Sequence, residues 1–467
     1  MIRRVPKLES LFVATFVLLG FRLGVRPITD NSMLTHLRTG IDMALGGGIP
    51  RQDPYSWTAK GEPWVVQSWL PEWTYGLAHR LGGFRLVVLE QGLLMAALAW
   101  LMLRLVRAGS PSRTAIGGLI VVGIAFRFWS PRPLLFGFIC MALTITIVER
   151  RRSAWLLVPV VWFWVQSHGS FPLGLVWLAV RAAGEGLDWR GWPRDAMSYI
   201  GAFVAGLLVS VVNPLGFRIL TFPFTLGDKR EVFDKIVEWM SPNFHNGAGQ
   251  IALVFLVPAM LLLVRARLPW RDTVPVVAFL AAALIASRNM PIAAIVFAPV
   301  VGRTLRKPES APARRGESGS EQRINRALAV TLALAFVLFG ASILSKPGLR
   351  LGPYPEEATS YLEREGLLTG AHRIAHRDFV GNYLELRYGG RLPVFIDDRY
   401  DMYPIRVSLD YRQLVEAKAN ALRILDERQV DVVLWDTDHA FPNLLVVSGR
   451  WREVHVDEDW VVLRRAE

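Results

Sequence analysis

The chain has 467 residues, is 52% hydrophobic with a mean hydropathy of +0.30, and carries a formal charge of +13. That apolar balance is too high for an ordinary soluble protein, and the basic residues punctuate the ends of apolar runs instead of gathering on one face, which excludes a nucleic-acid partner. Cys140, the single cysteine, rules out a disulfide framework or a cysteine metal site within one chain.

Arg3, Arg4 and Lys7 precede the first apolar run, and no small-residue cleavage site follows it, so an uncleaved helix is expected at 8–25. Further spans are expected at 86–104, 114–128, 133–149, 154–167, 171–184, 197–213, 249–265, 273–288, 290–303 and 327–344. The expected fold is therefore mainly α, a multi-pass transmembrane bundle of about eleven spans; several are shorter than about 20 residues and would be tilted or re-entrant.

Arg104, Arg107 and Arg113 follow the second span, Arg150–Arg152 the fourth, and Arg181, Arg190 and Arg194 the sixth; Arg265, Arg267 and Arg271 follow the eighth. The stretch 303–326, with Arg303, Arg306, Lys307, Arg314 and Arg315, reads as a cytoplasmic, disordered basic linker. With these loops on one side, the N-terminus is expected to be cytoplasmic and the C-terminal domain extracytoplasmic. The charge supports a division at 344/345: residues 345–467 hold 17 basic and 21 acidic residues, which leaves +17 for the membrane domain, 1–344.

Two long loops, 26–83 and 214–248, are expected on the outer side. In the first, Leu34, Leu37, Ile41 and Leu45 recur at helical spacing, which predicts an amphipathic helix over 31–45 at the membrane surface, stopped by Gly46–Gly48. Trp57, Trp64, Trp69 and Trp73 suit the headgroup zone. The C-terminal domain should be a soluble α/β fold, with helices at 355–366, 379–388 and 408–427 and strands at 393–396, 431–435, 453–456 and 460–463.

The polar motifs fall at the outer boundary of this topology. Asp30, just after the first span, is placed to take a proton from a hydroxyl, although an Asp before an apolar periodic run is equally a helix start. His36, Arg38 and Arg51 follow as phosphate ligands or as solvated residues. Asp53-Pro54 offers a second catalytic carboxylate or a plain turn. His168 ends an apolar run, where an imidazole is costly unless paired or functional. Arg288 at a span junction either clamps a phosphate or snorkels to the headgroups. Asn213-Pro214 and Glu238-Trp239 suit turns and caps, with Glu238 a further candidate substrate ligand. Phe395-Ile396-Asp397-Asp398-Arg399 reads as a structural turn or a ligand position after a strand.

Together, Asp30 to Gly40, Ile49 to Pro54, Trp164 to Ser170, Asn213 to Gly216, Glu238-Trp239, Arg288-Asn289 and Phe395 to Arg399 resemble the pattern of the GT-C glycosyltransferases, and more closely that of bacterial multi-pass proteins placed near that superfamily. The resemblance implies transfer of a hexosyl or pentosyl unit from a polyprenyl-phosphate carrier to a glycan, lipid or protein acceptor outside the cytoplasm. Asp30 would be the base, Asp53 its support, and His168 and Arg288 the phosphate ligands. No Asp-x-Asp occurs in the first loop, so use of a divalent cation, Mg or Mn, stays open. A transporter or flippase for a lipid-linked glycan and a non-enzymatic cell-envelope assembly factor are the alternatives.

Overall fold

The apolar runs become helices in the computed structural model, which describes residues 6–190, 194–306, 318–352 and 354–466. Arg3, Arg4, Lys307, Arg314 and Arg315 lie outside the described residues, as does the middle of the expected linker. Two compact units emerge. One comprises Met1–Pro27, Leu81–Pro223 and Lys235–Gly348; the other comprises Ile28–Arg80, Phe224–Asp234 and Leu349–Glu467.

In the first unit every expected span falls on a helix. Among the described residues four helices are long and apolar enough to cross a membrane: Trp69–Val106, Pro111–Phe128, Gly247–Arg265 and Gly319–Ser345. The first is two helical pieces joined at Gly82 and Gly83, the latter at φ 62°. The remaining runs give helices of 11 to 18 residues. At 1.5 Å per residue, 16 residues extend about 24 Å, short of a hydrocarbon core of about 30 Å. The chain is thus a helical membrane protein, but a count of eleven crossings does not follow from helix length. The expected linker is also narrower, because a capping box of Ser318 and Glu321 starts the last long helix at Gly319.

Small residues set the packing. The helix Met290–Leu305 is buried at every position from Met290 to Gly302. A Cβ at Gly302 would fall 1.2 Å from the Val106 carbonyl oxygen, so only hydrogen fits there. Gly20 and Gly24 similarly lie against the backbone of Met95 and Gln91, which lets Leu8–Gly24 approach its neighbour closely. At one end of the unit Arg303 reaches Glu149 (2.5 Å) and Asp272 (2.7 Å), and Arg181 reaches Glu149 (2.5 Å) and Glu185 (3.1 Å), joining four helices.

The second unit is built on a four-stranded sheet in the order β1 (Ile374–His376), β2 (Val432–Asp436), β4 (Trp460–Arg465), β3 (Trp451–Val456). Strand β1 runs parallel to β2, with Ala375 opposite Val433; β4 is antiparallel to both its neighbours, with a bulge between Glu453 and His455. Its core mixes Trp435, Phe441 and Leu463 with Tyr55, Trp64 and Val66 of the first long loop. Part of the second long loop joins as well, since Lys229 Nζ donates to the carbonyls of Asp401 (2.5 Å) and Tyr403 (2.7 Å).

Several expectations change here. The helix Ser32–Asp42 is present, followed by a π turn that ends in glycines at φ 95° (Gly46) and 71° (Gly48). Yet Leu34 and Leu37 are fully buried and pack in this unit, so half of the stripe serves a protein core, while Leu45 is exposed. Trp57, Trp64 and Trp69 likewise pack in or against that core. Residues 393–396 form no strand: Val394 bonds only to the Tyr55–Trp57 segment, through Val394 N to Tyr55 O (2.9 Å) and Trp57 N to Val394 O (3.0 Å). The expected helix 408–427 is two, Ile405–Val415 and Ala421–Glu427, broken near Ala417 at φ 46°. Strand β1 and the helix Ala440–Val447 were not anticipated.

Gly302→Ala should cost roughly 1–3 kcal/mol or more through overpacking, whereas Gly340→Ala, with open space at its Cβ, should cost nothing. Thermal melting in detergent, followed by tryptophan fluorescence, measures both; equal midpoints would refute the close-approach account.

Candidate functional site

The residues singled out in the sequence divide between the units. In the second unit, Asp53 is enclosed. It accepts hydrogen bonds from the backbone of Tyr55 (3.1 Å) and Ser56 (3.0 Å) and pairs with Arg399 at 2.9 Å. Arg399 also bridges both oxygens of Asp397 (2.9 and 2.6 Å) and reaches Glu385 at 3.2 Å. Its guanidinium lies over the rings of Tyr55 (5.0 Å) and Trp64 (4.5 Å).

Three buried carboxylates around one guanidinium cannot all be charged cheaply. Burial pushes Glu385 well above the usual carboxylate range, and neighbouring Asp397 adds to that rise. Burial also pushes Asp397 upward, but Arg399 and the bonds from Arg399, Glu385 and the Tyr403 hydroxyl together pull it down to about 2. Burial and the adjacent Asp397 thus favour the neutral form of Glu385, while Arg399 favours the charged form of Asp397. Thr35 closes the network by donating to Glu385 (2.8 Å).

Asp30 sits differently. It is half-buried at the start of Ser32–Asp42 and accepts from the Ser32 amide at 3.1 Å. Ser32 itself donates to Asp398, a half-buried residue whose amide is bonded to Asn382 Oδ1 (3.1 Å). Burial raises the Tyr354 hydroxyl, and the nearby charges of Asp30 and Asp398 raise it further. Two carboxylates and a tyrosine hydroxyl are thus collected at one helix start.

The other loop residues have local partners. His36 Nδ1 meets Glu72 at 2.7 Å. Arg38 Nε donates to Asp42 (3.1 Å), which also accepts from the Tyr55 hydroxyl (2.7 Å). The Arg38 guanidinium lies against Gly389, where a Cβ would come within 2.8 Å. Arg51 is exposed. Gly40, the last residue of the first motif, crosses Gly76 with a would-be Cβ 1.9 Å from the Glu72 carbonyl, so that motif position is a packing requirement.

In the first unit, Glu238 pairs with Arg132 at 2.9 Å, and Arg288 stacks over Trp239 at 4.2 Å within electrostatic reach of both. Two guanidiniums around one exposed carboxylate and an indole leave a net positive spot suited to an anion. Arg132 was missed because it sits in a short Ser-Pro-Arg-Pro turn, with no periodicity to mark it. His168 is half-buried and accepts from the Ser170 amide through Nδ1 (3.1 Å). Asn213 serves its turn, accepting from Leu215 N (2.6 Å). Among the described residues no group of three or more His, Cys, Asp or Glu is arranged to hold a metal ion.

No protein-family model matches the chain, and no curated protein matches it in sequence. Among solved structures it is similar to the arabinofuranosyltransferase AftD from Mycobacteria, at 13% identity and a TM-score of 0.48 over 98% of this chain and 40% of that one. It is also similar to ArnT from Cupriavidus metallidurans bound to undecaprenyl phosphate, at 13% identity and a TM-score of 0.45 over 97% of each chain. The chain spans 40% of the length of the arabinofuranosyltransferase.

Arg399→Met, which leaves buried carboxylates without their cation, should destabilise the protein by about 3–5 kcal/mol in denaturant titrations. The pH dependence has two limbs. Because Asp397 is depressed, its contribution is complete above the ordinary aspartate range and is lost as pH falls through about 2. Because Glu385 is raised, its contribution is complete below the ordinary glutamate range and is lost as pH climbs through the elevated value. Glu385→Gln should flatten the alkaline limb of a melting-temperature profile. A limb unchanged from wild type would mean that Glu385 does not hold the proton.

Proposed function

We propose that the protein is a membrane glycosyltransferase that moves a sugar from a polyprenyl-phosphate carrier to a hydroxyl acceptor outside the cytoplasm. The observation that carries this reading is the contrast between the two acids of the first long loop. Asp53 is enclosed and committed to Arg399, whereas Asp30 is half-exposed at a helix start beside Asp398. The resemblance of the motif set to GT-C enzymes supports the same assignment.

The chemistry is balanced with one base. The acceptor oxygen attacks the anomeric carbon, its proton passes to Asp30, and the bond from that carbon to the phosphate oxygen breaks, with the electron pair leaving on the carrier phosphate. Phosphate is a good leaving group and needs no second protonated carboxyl, unlike an alkoxide. Arg288 and Arg132 of the first unit are assigned to the carrier phosphate, with Glu238 holding Arg132 before an anion arrives. Asp53 acts only by fixing Arg399. His36, Arg38, Arg51 and His168 are assigned to supporting contacts with donor or acceptor. The reading keeps the topology of eleven spans, with the N-terminus cytoplasmic and the second unit outside.

Reconstituted protein given a labelled polyprenyl-phosphate sugar should release the carrier phosphate. Asp30→Asn should lower kcat by a factor of about 10² to 10⁴, the range of a general base, while leaving the melting midpoint unchanged. Arg288→Ala and Arg132→Ala should each raise KM for the carrier. Wild-type rates in Asp30→Asn would remove the proposed base. Labelling of a cysteine introduced at the exposed Thr29 from the cytoplasmic side alone would overturn the topology.

A further inference from the structure

We propose that the arginines gathered where three helices end in the first unit form a binding site for the phosphodiester headgroup of an anionic membrane phospholipid. The three ends meet. Gly302 lies against the Val106 carbonyl, Arg303 pairs with Glu149 at 2.5 Å, and Arg306 Nη2 donates to the Arg107 carbonyl at 3.0 Å. These contacts bring together the C-terminal ends of Trp69–Val106, Leu134–Glu149 and Met290–Leu305.

Six arginines sit there: Arg104, Arg107, Arg150, Arg151, Arg152 and Arg306. Among the described residues none of them pairs with a carboxylate. Their neighbours behave otherwise, because Arg181 and Arg303 are paired with Glu149, Glu185 and Asp272. Arg150 is within electrostatic reach of Arg104, Arg107 and Arg152, so the cluster repels itself.

Helix ends do not account for the excess. Each helix C-terminus presents about −0.5 charge, so three supply about −1.5 against six positive charges. Two of the arginines, Arg107 (φ 35°) and Arg151 (φ 48°), are also held in the left-handed region, which costs energy and keeps them at the chain reversals. Arg104 Nε is enclosed without a hydrogen-bond partner among the described residues. An anion of more than one oxygen, supplied from outside the fold, would satisfy these groups. Basic pockets between apolar helices take lipid headgroups in this way, and one of the three helices, Trp69–Val106, is of membrane length, as is Pro111–Phe128, the helix that follows it in the chain.

The test uses the full-length protein in neutral detergent, titrated with short-chain phosphatidylglycerol and, separately, phosphatidylcholine, with occupancy read by native mass spectrometry. The wild type should bind phosphatidylglycerol in preference to phosphatidylcholine. The triple variant R107Q/R150Q/R152Q should bind phosphatidylglycerol about a hundredfold more weakly, at about fivefold for each arginine. If the triple variant does not fold, Arg152→Gln alone, at an exposed position, should show about a fivefold loss. Equal binding of both lipids by the wild type, unchanged affinity in the variant, or full competition by inorganic phosphate at equal concentration would each overturn the proposal.

Discussion

The second unit depends on what happens around one guanidinium. Arg399 is the cation for carboxylates from three separate pieces of chain: Asp53 in the first long loop, Glu385 in the helix Asp378–Tyr388, and Asp397 in its own turn. An ion enclosed this way is costly to desolvate, and bidentate contact with Asp397 and stacking on Tyr55 and Trp64 offset that cost. The same arrangement explains why a loop near the N-terminus folds as part of a C-terminal domain. Its Tyr55 and Trp64 are both core residues and the aromatic faces on which the cation rests.

Much of this could be read from the residues, and the failures have physical causes. Apolar run length located the helices of the first unit well, since burial in lipid or protein selects the same residues. It could not count crossings, because a helix such as Met290–Leu305 can be apolar and enclosed by its neighbours all the way from Met290 to Gly302. Helical periodicity found Ser32–Asp42 but not what its apolar face touches: Leu34 and Leu37 would look alike against lipid or against protein. Four tryptophans in one loop suggested a headgroup belt, and the choice between that and a core rests on contacts with residues 395–463 that no local pattern encodes.

The candidate site was legible in parts. Asp30 is half-exposed at a helix start, and Arg288 lies within electrostatic reach of Glu238 in the first unit. Asp53 looked like its equal in the sequence, because an Asp-Pro turn does not announce an arginine so far along the chain. Arg399 was singled out within a turn, but its role as a hub needs the three acids in space. Arginines carry three different duties in this protein, and spacing alone separates none of them: a buried hub at Arg399, paired links at Arg181 and Arg303, and a cluster at Arg104, Arg107, Arg150–Arg152 and Arg306 that has no carboxylate partner among the described residues.

The distance along the chain between partners in the second unit has a cost during biosynthesis. Thr35 and Glu385 are 350 residues apart. At about 5–20 residues per second, the early loop waits roughly 20 to 70 s for the segment that covers its aromatic residues and neutralises Asp53. Over that interval it carries exposed tryptophans and an unmatched acid, so a ribosome that stalls before it reaches Arg399 leaves a chain suited to aggregation or to capture by a chaperone. The burden of quality control falls late in translation, on a segment whose helices were completed long before.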